Sequence, residues 1–200
     1  MDSKIRLTDM QNDAFKEYGN ICAGNSATVY TQMFEQDIKV IISSTDLLKI
    51  SDIKSLNKDI TVLYFRVFGD AAGYVVINMT NSAALSLVSM FTEDGTAAGR
   101  LSASGETQLK EIGNILATAY MHVVSKMTLN RLILAMPRLA TGTLGSILDI
   151  INIDTQDPEL PVVDIAWKIK KTDIVVNGDM YIFPDKMLKA ALLDVSSAKE

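Results

Sequence analysis

The sequence predicts an α+β fold in which helices lie on both sides of a sheet built from antiparallel β-hairpins. Three observations predict it: a segment that occurs twice, a long helical pattern in each half, and pairs of strands that alternate apolar and polar residues. Hydrophobic residues make up 48% of the 200 residues, yet no apolar run reaches the roughly 20 that a membrane-spanning helix needs. We therefore expect a single domain with a large core.

The repeated segment lies near the start of each half. Lys16–Ile21 recurs as Lys110–Ile115, and the two segments differ at one position only. A second match lies farther along, where Gly73–Ile77 and Gly178–Ile182 each precede a helix-like stretch. Two matches in the same order predict an internal duplication with pseudo-twofold symmetry.

A polar, glycine-containing stretch, Thr92–Gly99, is the best candidate for the linker between the halves. The single domain, residues 1–200, is therefore interpreted as two tandem repeats, at about 1–98 and about 99–200. One domain is the default for a chain of this length, and two small domains remain possible.

The same order of elements is predicted in each half: a long helix, an extended run, a shorter helical segment, a hairpin of two strands and a closing helix. In the first half we expect the long helix at about 9–33 and the extended run at about 38–42. The two strands of the hairpin are expected at about 63–67 and 74–79, and the closing helix at about 81–91. In the second half they are expected at about 103–128, 132–136, 163–169, 180–183 and 185–195.

Charge and cysteine content exclude several classes of partner and compartment. The chain has 24 acidic and 19 basic residues, a net charge of -5, and its Lys and Arg residues form no stripe. Binding to nucleic acid or to an anionic membrane is therefore not expected. The start of the chain has no signal-peptide pattern and Cys22 is the single cysteine, so we expect a cytoplasmic protein.

Both long helices are predicted to carry the same polar pair on one side. A helical wheel places Glu17 and Asn20 together on the first helix, and Glu111 and Asn114 together on the second. Apolar residues fall on the opposite side of the first wheel: Phe15, Tyr18, Cys22, Val29 and Met33. The second wheel has the same arrangement. We therefore expect both Glu–Asn pairs to face away from the core.

Small residues flank these pairs, with Gly19 and Ala23 on the first helix and Gly113 and Ala117 on the second. Such a flank would allow another helix to approach closely. Gly in a helix interior is less favourable than Ala by about 1 kcal/mol. The glycines are explained by packing alone, whereas a merely solvated face gives two diverged copies no reason to keep the same acid and amide. The pairs are therefore candidate functional residues.

The spacing of these residues resembles the signature of the CheC, CheX and FliY group of chemotaxis phosphatases, in which Asp or Ser is followed by Glu, Asn and, after a longer gap, Pro. The four positions are held by Asp13, Glu17, Asn20 and Ser43 in the first copy, and by Thr107, Glu111, Asn114 and Pro137 in the second. Each copy departs from the signature once, at Ser43 and at Thr107. The resemblance covers nearly the whole chain.

This resemblance implies hydrolysis of the aspartyl phosphate on the response regulator CheY. Phosphoryl transfer depends mainly on positioning and on charge stabilisation, so no Ser, Cys or His nucleophile is required. Asn20 and Asn114 would each hold the attacking water, because an amide offers both a donor and an acceptor. Glu17 and Glu111 would pair with a Lys of the regulator. No cofactor of its own is expected, since CheY would supply the magnesium.

Two other functions remain open at this point. The resemblance also implies binding to CheD, the receptor deamidase, so the chain could act chiefly as a non-catalytic partner that modulates receptor methylation. Alternatively, the duplication could be structural, with the Glu–Asn pairs idle. His122, the only histidine, lies near the second pair, but the first copy has Thr28 at the equivalent position, which argues against a catalytic base.

Overall fold

A computed structural model describes residues 9–49, Ile53, 60–151 and 161–194 of the chain. Its helices are α1 (Asp9–Phe34), α2 (Asn81–Ser89), α3 (Ala103–Thr128), α4 (Leu144–Ile150) and α5 (Lys186–Asp194). Its strands are β1 (Lys39–Lys49), β2 (Ile60–Gly69), β3 (Gly73–Thr80), β4 (Thr96–Ala97), β5 (Arg100–Leu101), β6 (Leu132–Leu134), β7 (Arg138–Gly142), β8 (Pro161–Lys171) and β9 (Ile174–Pro184). None of the helices so described is both long and apolar enough to cross a membrane.

Seven strands form one antiparallel sheet in the order β1-β8-β9-β3-β2-β6, with β7 also pairing with β2. Strands from the two halves of the sequence are interleaved, because β1 lies beside β8 and β6 lies beside β2. This order is symmetric about the central pair β3 and β9, as a pseudo-twofold duplication requires. The duplication and the division into two repeats stay predictions.

Helices cover both faces of the sheet, which confirms the predicted α+β class and its layers. On one face α1, α2, α3 and α5 enclose the larger core with the inward side chains of β2 and β3, among them Leu63, Phe65 and Ile77. On the other face α4 packs over a smaller core that includes Val62 and Tyr181. Alternation of side chains along the strands separates the two cores.

The predicted helices agree with the structure to within about two residues at their ends, whereas the strands β1 and β9 are several residues longer than predicted. Both long helices are present, and each predicted strand lies within or overlaps an observed one. The proposed linker Thr92–Gly99 forms a tight turn that contains β4, and the Ser102 hydroxyl caps α3 by accepting from the Gly105 amide. The outer ends of the two predicted repeats, residues 1–8 and 195–200, lie outside the described residues.

The predicted core side of α1 is confirmed at Tyr18 and Cys22 but is wrong at Val29 and Met33, and the side chain of Phe15 lies outside the described residues. Val29 and Met33 are 42% and 51% exposed, whereas Gly19, Ser26 and Tyr30 are buried beside Cys22. The helix therefore turns its small residues toward the sheet. A Cβ at Gly19 would lie 3.0 Å from Ile42 Cγ2, which shows how closely β1 approaches there. Close packing along this side determines the rotation of α1, and the larger apolar residues Val29 and Met33 are left at the surface.

The flank of small residues also has a different neighbour from the one expected. The atoms nearest to a Cβ built at Gly113 are those of Leu63 and Ile77, which are side chains of β2 and β3. At Gly19 the nearest atoms again belong to a strand. The two glycines therefore admit the sheet, not another helix.

Candidate functional site

The first Glu–Asn pair lies on the outer side of α1. Glu17 and Asn20 are both exposed, and within the described part of the chain neither side chain has a hydrogen-bond or ion-pair partner. Asp13, one turn before Glu17, forms an exposed ion pair with Lys16 at 3.8 Å. Such a surface pair contributes little to stability. The carboxylate and amide of this pair are therefore free to meet a partner molecule.

The second pair lies in the same way on α3, with one difference. Glu111 is exposed, but Asn114 is half-buried. Among the described residues, neither side chain has a protein partner. The Thr107 hydroxyl donates to the Ala103 carbonyl at 3.1 Å, so it is bound within its own helix. His122 is exposed farther along α3, where no contact links it to Asn114.

The two helices that carry these pairs are joined through the core. The Tyr30 hydroxyl donates a hydrogen bond of 2.6 Å to the carbonyl of Ile112. Tyr30 is fully buried, and burial raises its pKa, so the hydroxyl stays protonated. The bond connects α1 with the turn of α3 that lies between Glu111 and Asn114.

A β-bulge marks the fourth motif position, Ser43 or Pro137, in both halves. Between β1 and β8 the register shifts at Ser43, since Ile42 faces Trp167 and Ser44 faces Ala166. An extra residue in one strand of an antiparallel pair defines a bulge, which bends the strand and re-aims its side chains.

The equivalent irregularity in the second half lies at Pro137. Val67 of β2 faces Leu134 of β6, and Tyr64 of β2 faces Arg138 of β7. Between these two pairs β2 moves on by three residues and the chain from β6 to β7 by four, so the β6–β7 side has one extra residue. A proline is tolerated at such a point because it has no N–H for the ladder. Ser43 and Pro137 therefore lie at corresponding bulges, a feature that spacing along the sequence does not reveal.

The packing of each helix brings its pair near its bulge. Ile42, which precedes Ser43, contacts Gly19 on α1, and Gly19 lies between Glu17 and Asn20 in the sequence. On the other side of the molecule α3 contacts both β6 and β7, the strands that flank Pro137. The turn that carries Glu17 and Asn20 thus lies close to the bulge at Ser43, and α3 lies beside the strands that flank Pro137.

The surface beside the first pair is open. Gly24 lies one turn beyond Asn20, and a Cβ built there would meet nothing within 4 Å. The equivalent residue of α3, Thr118, is exposed. A partner's backbone could therefore approach either helix beside its Asn.

The chain has a sequence relative that matches it over most of its length. The chain is 22% identical over 191 residues to the CheY-P phosphatase CheC of Bacillus subtilis. The aligned region covers 90% of each protein. The predicted resemblance is confirmed. No protein-family model matches the chain.

Solved structures show the same fold. FliY of Thermotoga maritima superposes with a TM-score of 0.74, at 15% identity, covering 98% of this chain and all of that one. FliM in the FliG–FliM complex of H. pylori superposes with a TM-score of 0.66, at 11% identity, covering 92% of this chain and 100% of that one. The chain is therefore CheC-like in sequence and shares its fold with chemotaxis and flagellar proteins.

Two clefts were not predicted from the sequence. The first, of about 500 Å³, lies where β3 and β9 part, and Ser43, Asn78 and Asp179 are among its lining residues. Burial raises the pKa of the Asp179 carboxyl, and a hydrogen bond from Asn78 partly opposes this shift. Asn78 is buried and its Oδ1 has no hydrogen-bond partner. These polar groups come from strands distant in the sequence, so only the sheet register brings them together.

The second cleft, of about 430 Å³, lies on the face of the sheet that carries α4. It is lined by aromatic, basic and apolar residues: Tyr64, Arg66, Tyr74, Ala135, Met136, Arg138, Ile150 and Ile151. Met136 and Arg138 are the two neighbours of Pro137. Each of the two bulges is thus next to a cleft.

Proposed function

We propose that the protein hydrolyses the aspartyl phosphate of a CheY-type response regulator, and that Glu17 with Asn20 and Glu111 with Asn114 form two sites for this reaction. The observation that carries the proposal is that both pairs stand on the outer side of long helices, with no partner among the described residues and with a bulge nearby. The similarity to CheC, a CheY-P phosphatase by name, supports it.

The amide of Asn20 or Asn114 would position the attacking water. Its carbonyl oxygen accepts a hydrogen bond from the water, and its NH₂ group donates a hydrogen bond to an oxygen of the phosphoryl group. This leaves a water lone pair directed at phosphorus. An acyl phosphate is already reactive, so alignment of the water accounts for most of the rate that the protein adds. A half-buried amide such as Asn114 has less freedom to lose when it takes this position.

The carboxylates of Glu17 and Glu111 would hold the regulator in place. A carboxylate is repelled by a phosphoryl group, so a direct role at phosphorus is disfavoured. A cation of the regulator, such as a lysine in its own active site, can instead form a charge-assisted hydrogen bond with the carboxylate. Such a bond fixes the distance between the helix and the phosphoryl group. The Glu residues are therefore anchors, and the Asn residues act on the water.

A magnesium ion, which neutralises charge on the phosphoryl group, would come with the regulator. What the chain adds at the site is the water, held by Asn, and the anchor, held by Glu.

The alternative is a non-catalytic partner of the deamidase CheD. One observation favours a docking role in general: the fold is shared with FliM, which has been crystallised with FliG. In that case the Glu–Asn pairs would not be needed, and a surface outside them would bind CheD. Substitution of the pairs therefore separates the two functions.

The test is the decay of a phosphorylated CheY from the same genome, measured with the parent protein and with the double variant Asn20→Ala, Asn114→Ala. We expect each Asn to contribute about 10²-fold, as other oriented polar groups do, so the double variant should lose all acceleration. Asn25→Ala is the matched control, because Asn25 is an exposed amide on the same helix outside the motif. Dephosphorylation at the parent rate by the double variant would refute the proposal.

A binding measurement with CheD completes the design. If the double variant binds CheD as the parent does and has lost phosphatase activity, the pairs serve the reaction. If the parent does not accelerate decay but binds CheD, the docking function replaces the proposed one.

A further inference from the structure

The cleft beside Pro137 holds two arginines on one face of the sheet. Arg138 pairs with Tyr64 across β2 and β7, and Arg66 lies two residues along β2 from Tyr64. Diagonal neighbours of this kind have Cβ atoms about 7–8 Å apart. Both guanidinium groups can therefore reach a single anion placed between them.

None of the described residues that line the cleft carries a carboxylate that could neutralise these arginines. Within the described chain neither Arg66 nor Arg138 has an ion-pair or hydrogen-bond partner for its side chain, and both are exposed. Asp149 on α4 is exposed and does not line the cleft. Two arginines without an acidic partner among the described residues can bind an acidic group that another molecule supplies.

Aromatic and apolar groups complete the cleft. Tyr64 and Tyr74 are half-buried at its base and offer two phenol groups beside the arginines. Met136 and Ile150 stand at the surface, 89% and 67% exposed. Arginine and tyrosine beside exposed apolar side chains are the composition that protein–protein contacts favour. The cleft thus suits a carboxylate carried on a protein surface.

The position of the cleft connects it with the second Glu–Asn pair. Met136 and Arg138 flank Pro137, the fourth motif position of that half, and α3, which carries Glu111 and Asn114, contacts β6 and β7 from the opposite face of the sheet. A protein that presents a phosphoryl group to Asn114 would therefore reach the cleft by extending around the edge that β6 and β7 form. The first half has no such pair of arginines near Ser43, where the neighbouring cleft contains Asp179.

We propose that the Arg66–Arg138 cleft is a second docking point for the regulator whose phosphoryl group is hydrolysed at Asn114, and that it binds a carboxylate of that regulator's surface. This inference rests on the proposed function. Bidentate pairing of a guanidinium with a carboxylate gives orientation as well as affinity. Docking at the cleft would therefore favour the second site over the first.

The first arm of the test does not depend on any phosphatase activity. Citrate, a small polycarboxylate, is titrated into the full chain while NMR shifts of Tyr64, Tyr74 and Ile150 are followed. We expect saturable shifts in the parent and none in the double variant Arg66→Gln, Arg138→Gln. Arg100→Gln is the matched control, because Arg100 is an exposed arginine on β5. Absence of citrate-dependent shifts in the parent would overturn the cleft as a carboxylate site.

The second arm measures dephosphorylation of the regulator. Loss of both arginines should raise KM by about 10-fold for each charge-assisted bond lost, with kcat changed less than 2-fold, because the cleft does not contact the phosphoryl group. The Asn114→Ala variant should show the opposite pattern, a lower kcat. An unchanged KM in the double arginine variant would overturn the docking role even if citrate binds.

A regulator that is never dephosphorylated by the parent refutes the proposed function. The docking inference then fails with it, whatever the result with citrate. Citrate binding in that case would show only that the cleft accepts carboxylates. The two arms therefore separate failure of the cleft, of the docking role and of the phosphatase reaction.

Discussion

The hydroxyl of Tyr30 donates a 2.6 Å hydrogen bond to the carbonyl of Ile112. This bond joins α1, which carries one Glu–Asn pair, to the turn of α3 that carries the other. Tyr30 also contacts Phe91, which lies just beyond α2, at a ring-centroid distance of 5.9 Å. These buried contacts fix α1 and α3, and with them the two candidate sites, relative to each other. Their separation is set by the core and not by the loops.

Replacing Tyr30 with Phe removes that hydroxyl and leaves the ring. We expect a loss of about 1 kcal/mol in the free energy of unfolding, the usual contribution of one buried hydrogen bond. Urea unfolding followed by circular dichroism measures it. Tyr18→Phe is the matched control, because Tyr18 is half-buried on the same helix without a hydrogen bond among the described residues. Equal losses in both variants would contradict the assigned bond.

Two glycines on equivalent helices should respond to Ala in opposite directions. At Gly113 the new methyl group would overlap the buried side chain of Leu63, and overpacking of this kind costs about 1–3 kcal/mol. At Gly24 the space is open, so Ala should stabilise the helix by about 0.5–1 kcal/mol. Thermal unfolding of the two variants tests both signs. A Gly113→Ala variant more stable than the parent would contradict the close contact between Gly113 of α3 and Leu63 of β2.

The two sites should contribute unequally to phosphatase activity. Asn114 is half-buried whereas Asn20 is exposed, so Asn114 has less side-chain freedom to lose when it holds a water. Ordering one mobile side chain costs about 0.5–1.5 kcal/mol, which corresponds to about a 2-fold to 10-fold difference in rate. Asn114→Ala should therefore reduce the rate more than Asn20→Ala does. Single-variant kinetics on phosphorylated CheY would contradict this if the order were reversed.

The carboxyl of Asp179 should make stability depend on pH. Burial raises its pKa in the folded protein, so its contribution is fully present below the unfolded value of about 3.9 and is lost as pH rises through the folded value. At pH 7 the buried carboxylate therefore destabilises the fold. Asp179→Asn should be more stable than the parent at pH 7, and the advantage should shrink toward pH 4.

Urea unfolding at several pH values between 4 and 7 measures this effect. Asp149→Asn is the control, because Asp149 is exposed and should give a small, pH-independent change. A variant at position 179 that is less stable than the parent at pH 7 would mean that the carboxylate has a favourable partner.

Local patterns predicted most of the secondary structure. The apolar periodicity of the two long helices and the alternation in β2, β3, β8 and β9 are properties of neighbouring residues, and the observed elements follow them. The outward position of Glu17 and Glu111 also followed from the helix period. These features needed no knowledge of which elements meet.

The features that depend on contacts between distant elements were missed. The rotation of α1 is set by Ile42 against Gly19, so a wheel that counts large apolar residues placed Val29 and Met33 on the wrong side. The bulges at Ser43 and Pro137 exist only in the register between strands. Neither cleft could be predicted, because each combines strands from both halves.

Interleaving of the strands has a consequence for how the two halves can change over time. The edge strand of each half pairs with a strand of the other half, β1 with β8 and β6 with β2. Neither half therefore keeps all its strands in one sheet if the other half is deleted. If mutation removes the Glu–Asn pair of one half, the strands of that half are still needed, because the strands of the other half pair with them. Wherever one pair has decayed, the chain should therefore keep its length and its architecture while only a few surface side chains record the loss.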